Sequence, residues 1–386
     1  MSELPYMLEL TEVHQYFKDW LKSFLYEDNP YVIRLHISHT DLDGYACSII
    51  MQSYDNKVGS DKSRIYRMNV NAGTENIQKG LESFFARRPH TYRKGSTQLK
   101  ILVTDLSNVY PEIFDRYIKA GHRITYAVAD HHLDLNHCAE MVKNPQENPY
   151  LVISDPDHYI SAATILNYFC KRIAGDVSPA LDEYVSAVGR YDTGHWGKWN
   201  VDTIEEIAPS TAEHMFFSMF RTRYQKVSYF DVMFRYVNHP HSKESAGIGN
   251  YRRRRIREVL VSMKKEYKHI VANMKPVYDL AEGYADIFRT TFGKLNLHAI
   301  NAVAYVDDDS YPINNLTLVS REILDNHPEI DLFALIDVDR AIELRSKSPI
   351  ISCAEIATMN GGGGHKGAAG FPLPEHLIQA NLQSAT

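Results

Sequence analysis

The sequence predicts an α/β protein of two domains, with a larger N-terminal domain on a parallel sheet, a helical linker and a smaller C-terminal α/β domain. Three observations predict it. At 386 residues the chain exceeds the size at which one hydrophobic core keeps growing. Short β-branched apolar runs alternate with amphipathic ones through the first half, as strands and covering helices do in a parallel sheet. A long charged stretch then precedes a second, shorter alternation.

Taken in order, the apolar spacing over Leu8 to Leu25 predicts an opening helix, ended by the turn-prone Glu27-Asp28-Asn29-Pro30. Tyr31 to Ser38, Leu99 to Thr104 and Arg123 to Ala129 read as strands, with helices over Gly44 to Gln52 and Pro111 to Ala120. Helices are predicted over Ser161 to Ile173 and Pro179 to Gly189, then an aromatic helical stretch from Thr211 to Tyr236. Tyr251 to Met274, with Arg252, Arg253, Arg254, Arg255 and Arg257, reads as one long solvated helix leading away from the first domain. After Pro276 come strands at His298 to Val306, Leu332 to Val338 and Ala341 to Arg345, and a helix at Asn315 to Asp325. No internal repeat or low-complexity segment interrupts the order.

Composition narrows the function classes. With 44% apolar and 23% charged residues the chain reads as soluble and globular. A net charge of -6 argues against a protein that coats long nucleic acid, since such binding neutralises many phosphates. Cys47, Cys138, Cys170 and Cys353 are widely spaced, with no C-x-x-C pair, so reduced thiols in a cytoplasmic protein are expected. No basic n-region with an apolar core opens the sequence, and no apolar run reaches membrane-spanning length.

The informative residues follow the predicted strands. His39, Asp41 and Asp43 come after the first, Asp105 after the second, and Asp130, His131 and His132 after the third. Open α/β sheets bind ligands outside the carboxyl ends of their strands, so these clusters would meet in one crevice. A single strand-end aspartate is commonly a helix cap. Capping does not account for Asp41-x-Asp43 or for Asp130-His131-His132. Carboxylates with imidazoles and no thiolate suit Mn²⁺, with Mg²⁺, Co²⁺ or Zn²⁺ as weaker options.

At these residues the sequence resembles the DHH phosphoesterase superfamily, over most of its length. The motifs are Ser38-His39-Thr40-Asp41-Leu42-Asp43-Gly44, Val103-Thr104-Asp105-Leu106, Ala129-Asp130-His131-His132 and Gly189-Arg190-Tyr191-Asp192. In the C-terminal half, Asn360 to Phe371, containing Gly361-Gly362-Gly363-Gly364-His365-Lys366, resembles the glycine-rich substrate loop of the accompanying DHHA1 domain. The S-H-x-D-x-D-G form resembles the nanoRNase branch. The resemblance implies a DHH catalytic domain over 1–240, a helical linker over 241–275 and a DHHA1 substrate domain over 276–386.

It further implies two Mn²⁺ ions, replaceable by Mg²⁺ or Co²⁺. Asp43, Asp105, His131 and Asp192 would hold one and Asp41 with Asp105 the other, Asp105 bridging; His39 is a further candidate ligand. Asp130 would orient His131 or His132, and His132 would contact the scissile phosphate. Arg345, Ser346, Gly362, Gly363, Gly364, His365 and Lys366 would bind substrate, glycines allowing backbone N–H groups close to an anion.

Competing motifs are weaker. His36-x-x-His39-x-Asp41 has the wrong spacing for the H-x-H-x-D-H zinc hydrolases. Asp307-Asp308-Asp309 lacks the glycine and the twelfth-position glutamate of a calcium loop. His137, His158, His195 and His298 read as ordinary polar histidines. No added OB-type domain or basic channel suggests a long-strand exonuclease, and the glycine loop replaces the clustered cations of a pyrophosphatase.

The expected activity is therefore hydrolysis of short RNA or DNA oligonucleotides to mononucleotides. The alternatives are a cyclic mono- or dinucleotide, or a 3'-phosphorylated adenosine nucleotide, as substrate. A metal-bound nucleotide sensor is a third reading, disfavoured by the intact acid set. A homodimer is compatible with the sequence; membrane and long duplex partners are not expected.

Overall fold

The computed structural model describes residues 12–59, 65–87, 92–106, 109–132, 135–155, 158–195, 207–307, 315–337 and 341–384. They fall into two compact units, the first ending at Ile256 and the second resuming at Arg257, inside one long helix. The first unit runs α1 (Glu12–Leu25), β1 (Val32–His39), α2 (Leu42–Val58), β2 (Ile65–Val70), α3 (Thr74–Ala86), β3 (Gln98–Thr104), α4 (Glu112–Lys119) and β4 (Arg123–Asp130). It continues with α5 (Leu135–Glu140), β5 (Tyr150–Val152), α6 (Ala162–Ala174), α7 (Pro179–Asp192), α8 (Pro209–Ser218), α9 (Arg223–Asn238) and the start of α10 (Lys243–Asn273).

Its sheet has the order β2-β1-β3-β4-β5, with every neighbouring pair parallel. Parallel strands are covered on both faces, and accordingly Val32 to Ser38 are all buried. Side chains alternate between two cores. Leu99, Ile101 and Val103 join Ile113, Phe114 and Leu81 on one face. Leu102, Ala127 and Ala129 join Phe17, Ile49, Leu166 and Val188 on the other.

Several features depart from the sequence expectation, among them the following. The segment between α2 and β3 carries an additional strand and helix, β2 and α3. The aromatic stretch from Thr211 to Tyr236 is two helices, because Thr222 and Gln225 form a reciprocal capping box that starts α9 afresh. Arg252, predicted to be solvated, is largely buried: its guanidinium pairs with the Glu213 carboxylate and lies 4.7 Å from the Tyr236 ring centre.

The second unit contains the rest of α10, then β6 (Lys275–Pro276), α11 (Glu282–Lys294), β7 (Ala302–Asp307), α12 (Leu316–Asn326), β8 (Leu332–Asp337) and β9 (Ala341–Arg345). It ends with α13 (Cys353–Met359), β10 (Gly363–His365), β11 (Ala368–Pro372) and α14 (Glu375–Ser384). The sheet order is β10-β11-β9-β8-β7-β6, mixed, with β7 and β8 parallel. Phe288, Phe292, Ile336, Leu344 and Phe371 fill its core. Asp308 and Asp309 of the discarded calcium-loop motif lie outside the described residues. Among the described residues no helix is long and apolar enough to cross a membrane.

The glycine run is strand rather than open loop. Gly363 to His365 pair antiparallel with Ala368 to Gly370. A Cβ on Gly362 would stand 2.1 Å from the Gly370 carbonyl oxygen, and one on Gly364 2.6 Å from Ala369 Cα, so the pairing itself requires glycine there.

Candidate metal centre

Each candidate ligand is delivered by the carboxyl end of a strand or by the helix beside it. His39 is the last residue of β1. Asp41 caps α2, its Oδ1 accepting the Gly44 N–H at 2.9 Å, and Asp43 lies in that helix's first turn. A Cβ on Gly44 would come within 2.4 Å of the His39 carbonyl oxygen, so glycine lets α2 begin this close to β1. Asp105 directly follows β3 with φ of 55°, a left-handed conformation uncommon outside glycine. Asp130 ends β4, and Asp192 ends α7. Gly189 lets α7 approach the α6 entrance: a Cβ there would stand 2.7 Å from Tyr159 O and Thr164 Oγ1.

The side chains converge. His131 Nε2 lies 3.2 Å from Asp192 Oδ2 and 3.6 Å from Asp105 Oδ1. On the other side of Asp105, His39 Nδ1 stands 4.0 Å from its Oδ2 and 2.7 Å from Asp41 Oδ2. Three sets bring their ligand atoms within 4.8 Å of one another: His39, Asp41 and Asp105; Asp43, His131 and Asp192; and Asp105, Asp130, His131 and His132. Asp105 and His131 each belong to two sets, so the sets form one continuous cluster.

The electrostatics are those of an acid cluster held out of water. Burial, then the neighbouring carboxylates, push Asp43 and Asp105 well above the usual carboxylate range. Burial also raises Asp192, against the opposing pull of His131. Burial would raise Asp41 and lower His39, but the hydrogen bond and charge each offers the other win, holding the carboxyl low and the imidazole high.

The residues present fit divalent cations. Asp105 Oδ2, His131 Nε2 and Asp192 Oδ2 are buried atoms with no hydrogen-bond partner. Orphaned buried polar atoms are rare in folded proteins, and several facing one another call for a bound cation. The donors are oxygen and imidazole nitrogen. The nearby Cys47 thiol is pushed well above its ordinary pKa by burial and the charge of Asp43, which keeps it from serving as a thiolate ligand.

Asp130 does something different from its neighbours. Its Oδ1 accepts the His131 backbone N–H at 2.7 Å and pairs with His132 Nδ1 at 3.0 Å. It therefore fixes the His132 ring, and of the two histidines only that imidazole is oriented by it.

Several contributors were not singled out from the sequence. Asp43 accepts the Ser161 hydroxyl at 2.7 Å and the Ala162 N–H at 2.9 Å, so it also closes the N-terminus of α6. Beneath the cluster, Thr104 Oγ1 joins His36 Nε2 at 2.9 Å and Ser38 Oγ at 2.8 Å, tying the ends of β1 and β3. Lys226 of α9 hydrogen-bonds the Thr40 carbonyl, between His39 and Asp41. The pairing of Ser161 with Asp43 spans 118 positions and leaves no local signal.

In the second unit, the candidate substrate residues are neighbours across β9, β10 and β11. Arg345 is opposite Ala368, and the Ser346 N–H donates to the Gly367 carbonyl at 3.0 Å. The Ser346 hydroxyl is committed to Asp331 O at 2.7 Å. Arg345 donates to Glu343 Oε2 at 3.0 Å and to Leu344 O at 2.9 Å. His365 and Lys366 are exposed at the hairpin tip. The Gly362 N–H donates to Ala357 O at 2.8 Å and so closes the end of α13 instead of facing an anion.

The fold is similar to that of a solved DHH domain. The chain is similar to the DHH domain of a member of a ribosomal-protein family, at TM-score 0.57 and 13% identity, over 100% of this chain and 93% of that one. Looser likenesses extend to RecJ of Thermus thermophilus in complex with Mn²⁺, at TM-score 0.48 and 17% identity, over 99% of this chain and 55% of that one. Another is the pGpG-specific phosphodiesterase PggH of Vibrio cholerae, at TM-score 0.46 and 12% identity, over 91% of this chain and 97% of that one. At these identities the likeness is one of fold. No family model matches the chain, and no curated protein matches it in sequence.

Proposed function

We propose that the chain is a cytoplasmic Mn²⁺-dependent phosphodiesterase that hydrolyses short oligonucleotides to mononucleotides. The observation that carries this reading is the shared cluster of buried, unpartnered ligand atoms on Asp105, His131 and Asp192. Asp43, Asp105, His131 and Asp192 would hold one ion, and His39, Asp41 and Asp105 the other. When bound, such a pair would lower the pKa of a water toward neutrality and offset charge on the attacking and leaving oxygens at phosphorus.

The chain's own groups do the rest. Asp130 holds the His132 ring through Nδ1 and so sets the orientation in which that imidazole would meet a phosphate oxygen. Hydrogen bonds from the α2 N-terminus to Asp41 and from the α6 N-terminus to Asp43 fix both carboxylates before substrate arrives. Arg345, His365 and Lys366, with the outer edge of the β10 strand from Gly363, would grip a terminal nucleotide, while Ser346 and Gly362 shape that surface. A net charge of -6 favours short substrates over long strands.

The test offers the purified protein and Mn²⁺ 5'-labelled di- to pentanucleotides, a long single strand, a cyclic dinucleotide and 3'-phosphoadenosine 5'-phosphate. Short oligonucleotides should shrink to mononucleotides while the long strand persists. Failure to hydrolyse any phosphodiester would sink the proposal; preferential use of either small nucleotide would redirect it.

A further inference from the structure

Thr40, which stands between His39 and Asp41, lines a cavity of about 410 Å³ in the first unit. It lies where β2, α3 and the start of α9 meet. Lys79, Arg221 and Lys226 all line it, together with Thr40, Asn69 and Asn71, and among the described residues no aspartate or glutamate does. In a molecule of net charge -6, three cations around one carboxylate-free cavity make a local electropositive site.

The polar groups are arranged to receive something larger than water. Lys226 uses one donor on the Thr40 carbonyl and keeps two more. The Thr40 hydroxyl donates to Asn71 Oδ1 at 2.7 Å, which leaves that amide's N–H groups as donors. Asn69 holds the wall itself, donating to the His39 carbonyl at 2.7 Å. Lys79 reaches Glu75 at 3.5 Å, but both side chains are largely exposed, so the pair is weak. Donors and cations predominate, and a phosphate, with acceptor oxygens only, is their complement.

We propose that this cavity is a second anion site that binds a phosphate of the substrate other than the one being hydrolysed. The inference rests on the phosphodiesterase reading, because Thr40 places the cavity wall between two candidate metal ligands. It gives the enzyme a preference for substrates with two or more phosphates over those with a single phosphodiester. Arg221 and Lys79 provide the charge-assisted contacts, and Lys226 joins the cavity to the segment that carries Asp41.

Arg221→Gln combined with Lys79→Gln tests this, since both side chains are exposed and the double variant should fold; Lys226 is left intact because it also braces the Thr40 segment. In one arm, inorganic pyrophosphate is titrated by calorimetry into full-length protein without added metal. Wild type should bind in a salt-sensitive manner, and the variant at least about tenfold more weakly. In the other arm, a dinucleotide is compared with its 5'- and 3'-phosphorylated forms in Mn²⁺. Wild type should prefer one phosphorylated form through KM, and the variant should lose that preference.

Absent or unaltered pyrophosphate binding overturns the site. Altered pyrophosphate binding with the substrate preference intact overturns the substrate assignment and makes the cavity a site for free phosphate. Should wild type hydrolyse nothing, the phosphodiesterase reading and the substrate assignment fall together, while the titration still decides whether the cavity binds anions.

Discussion

Asp105 combines two costs in one residue: a left-handed backbone at φ of 55° and a carboxylate buried among other carboxylates. Asparagine tolerates that backbone and carries no charge. Asp105→Asn should therefore fold with at least wild-type stability in the absence of metal, yet lose all turnover and any thermal shift on adding Mn²⁺. His131→Ala should likewise abolish turnover; near-wild-type rates in either variant would contradict the shared role of these side chains. Asp130 acts through His132, so Asp130→Asn should reduce kcat by about 10–100-fold with Mn²⁺ affinity nearly retained. The identities of these residues were legible because acids and imidazoles stand at three strand ends in one chain. Their partners were not: nothing near Asp43 in sequence announces the α6 N-terminus that donates to it.

At the scale of elements, β1, β3 and β4 were legible because buried parallel strands read as continuous apolar runs. β2 escaped because it is an edge strand whose Tyr66 and Arg67 are exposed, diluting the apolar signal. The break between α8 and α9 was written as a Thr222-x-x-Gln225 capping box but masked by aromatic residues on both sides. Arg34 illustrates what pattern reading misses. It is a fully buried cation in the middle of β1 that donates to the last carbonyls of α1, Phe24 O at 3.1 Å and Leu25 O at 3.2 Å, and pairs with Asp55 of α2 at 2.8 Å. One side chain thus ties strand to both helices. Arg34→Met should cost about 3 kcal/mol by urea unfolding, since removing one partner strands the other, and Asp55→Leu in the same chain should recover part of it. A loss below about 1 kcal/mol would mean that water already serves these groups.

Across the whole molecule, the hairpin built by the glycine run depends on register between β10 and β11 that no local pattern states. Metal and pH should then both act on stability. On the proposed reading the folded cluster, and not the unfolded chain, holds Mn²⁺, so at a hundred times its Kd the ion should raise unfolding free energy by about 2.7 kcal/mol. One part of the pH response comes from two buried histidines that are not candidate ligands. Burial holds His36 down to about 3, with Arg67 adding to the effect, and burial alone holds His214 to about 3. In the unfolded chain both titrate near 6.5. Below that pH the unfolded state takes up protons that the folded state refuses. Stability from this pair therefore falls as pH drops from about 6.5 toward 3, by about 1.4 kcal/mol per unit for each ring. The buried carboxylates push the other way, since their raised pKa values favour folding as pH falls, so the net slope alone does not isolate the histidines. His36→Gln does, because it removes one of the two protons and leaves the carboxylates in place. Urea unfolding at pH 7, 6 and 5 should show that variant losing about 1.4 kcal/mol less per pH unit than wild type below pH 6. Equal slopes would place the proton uptake elsewhere and leave His36 as a hydrogen-bond partner of Thr104 without influence on acid stability.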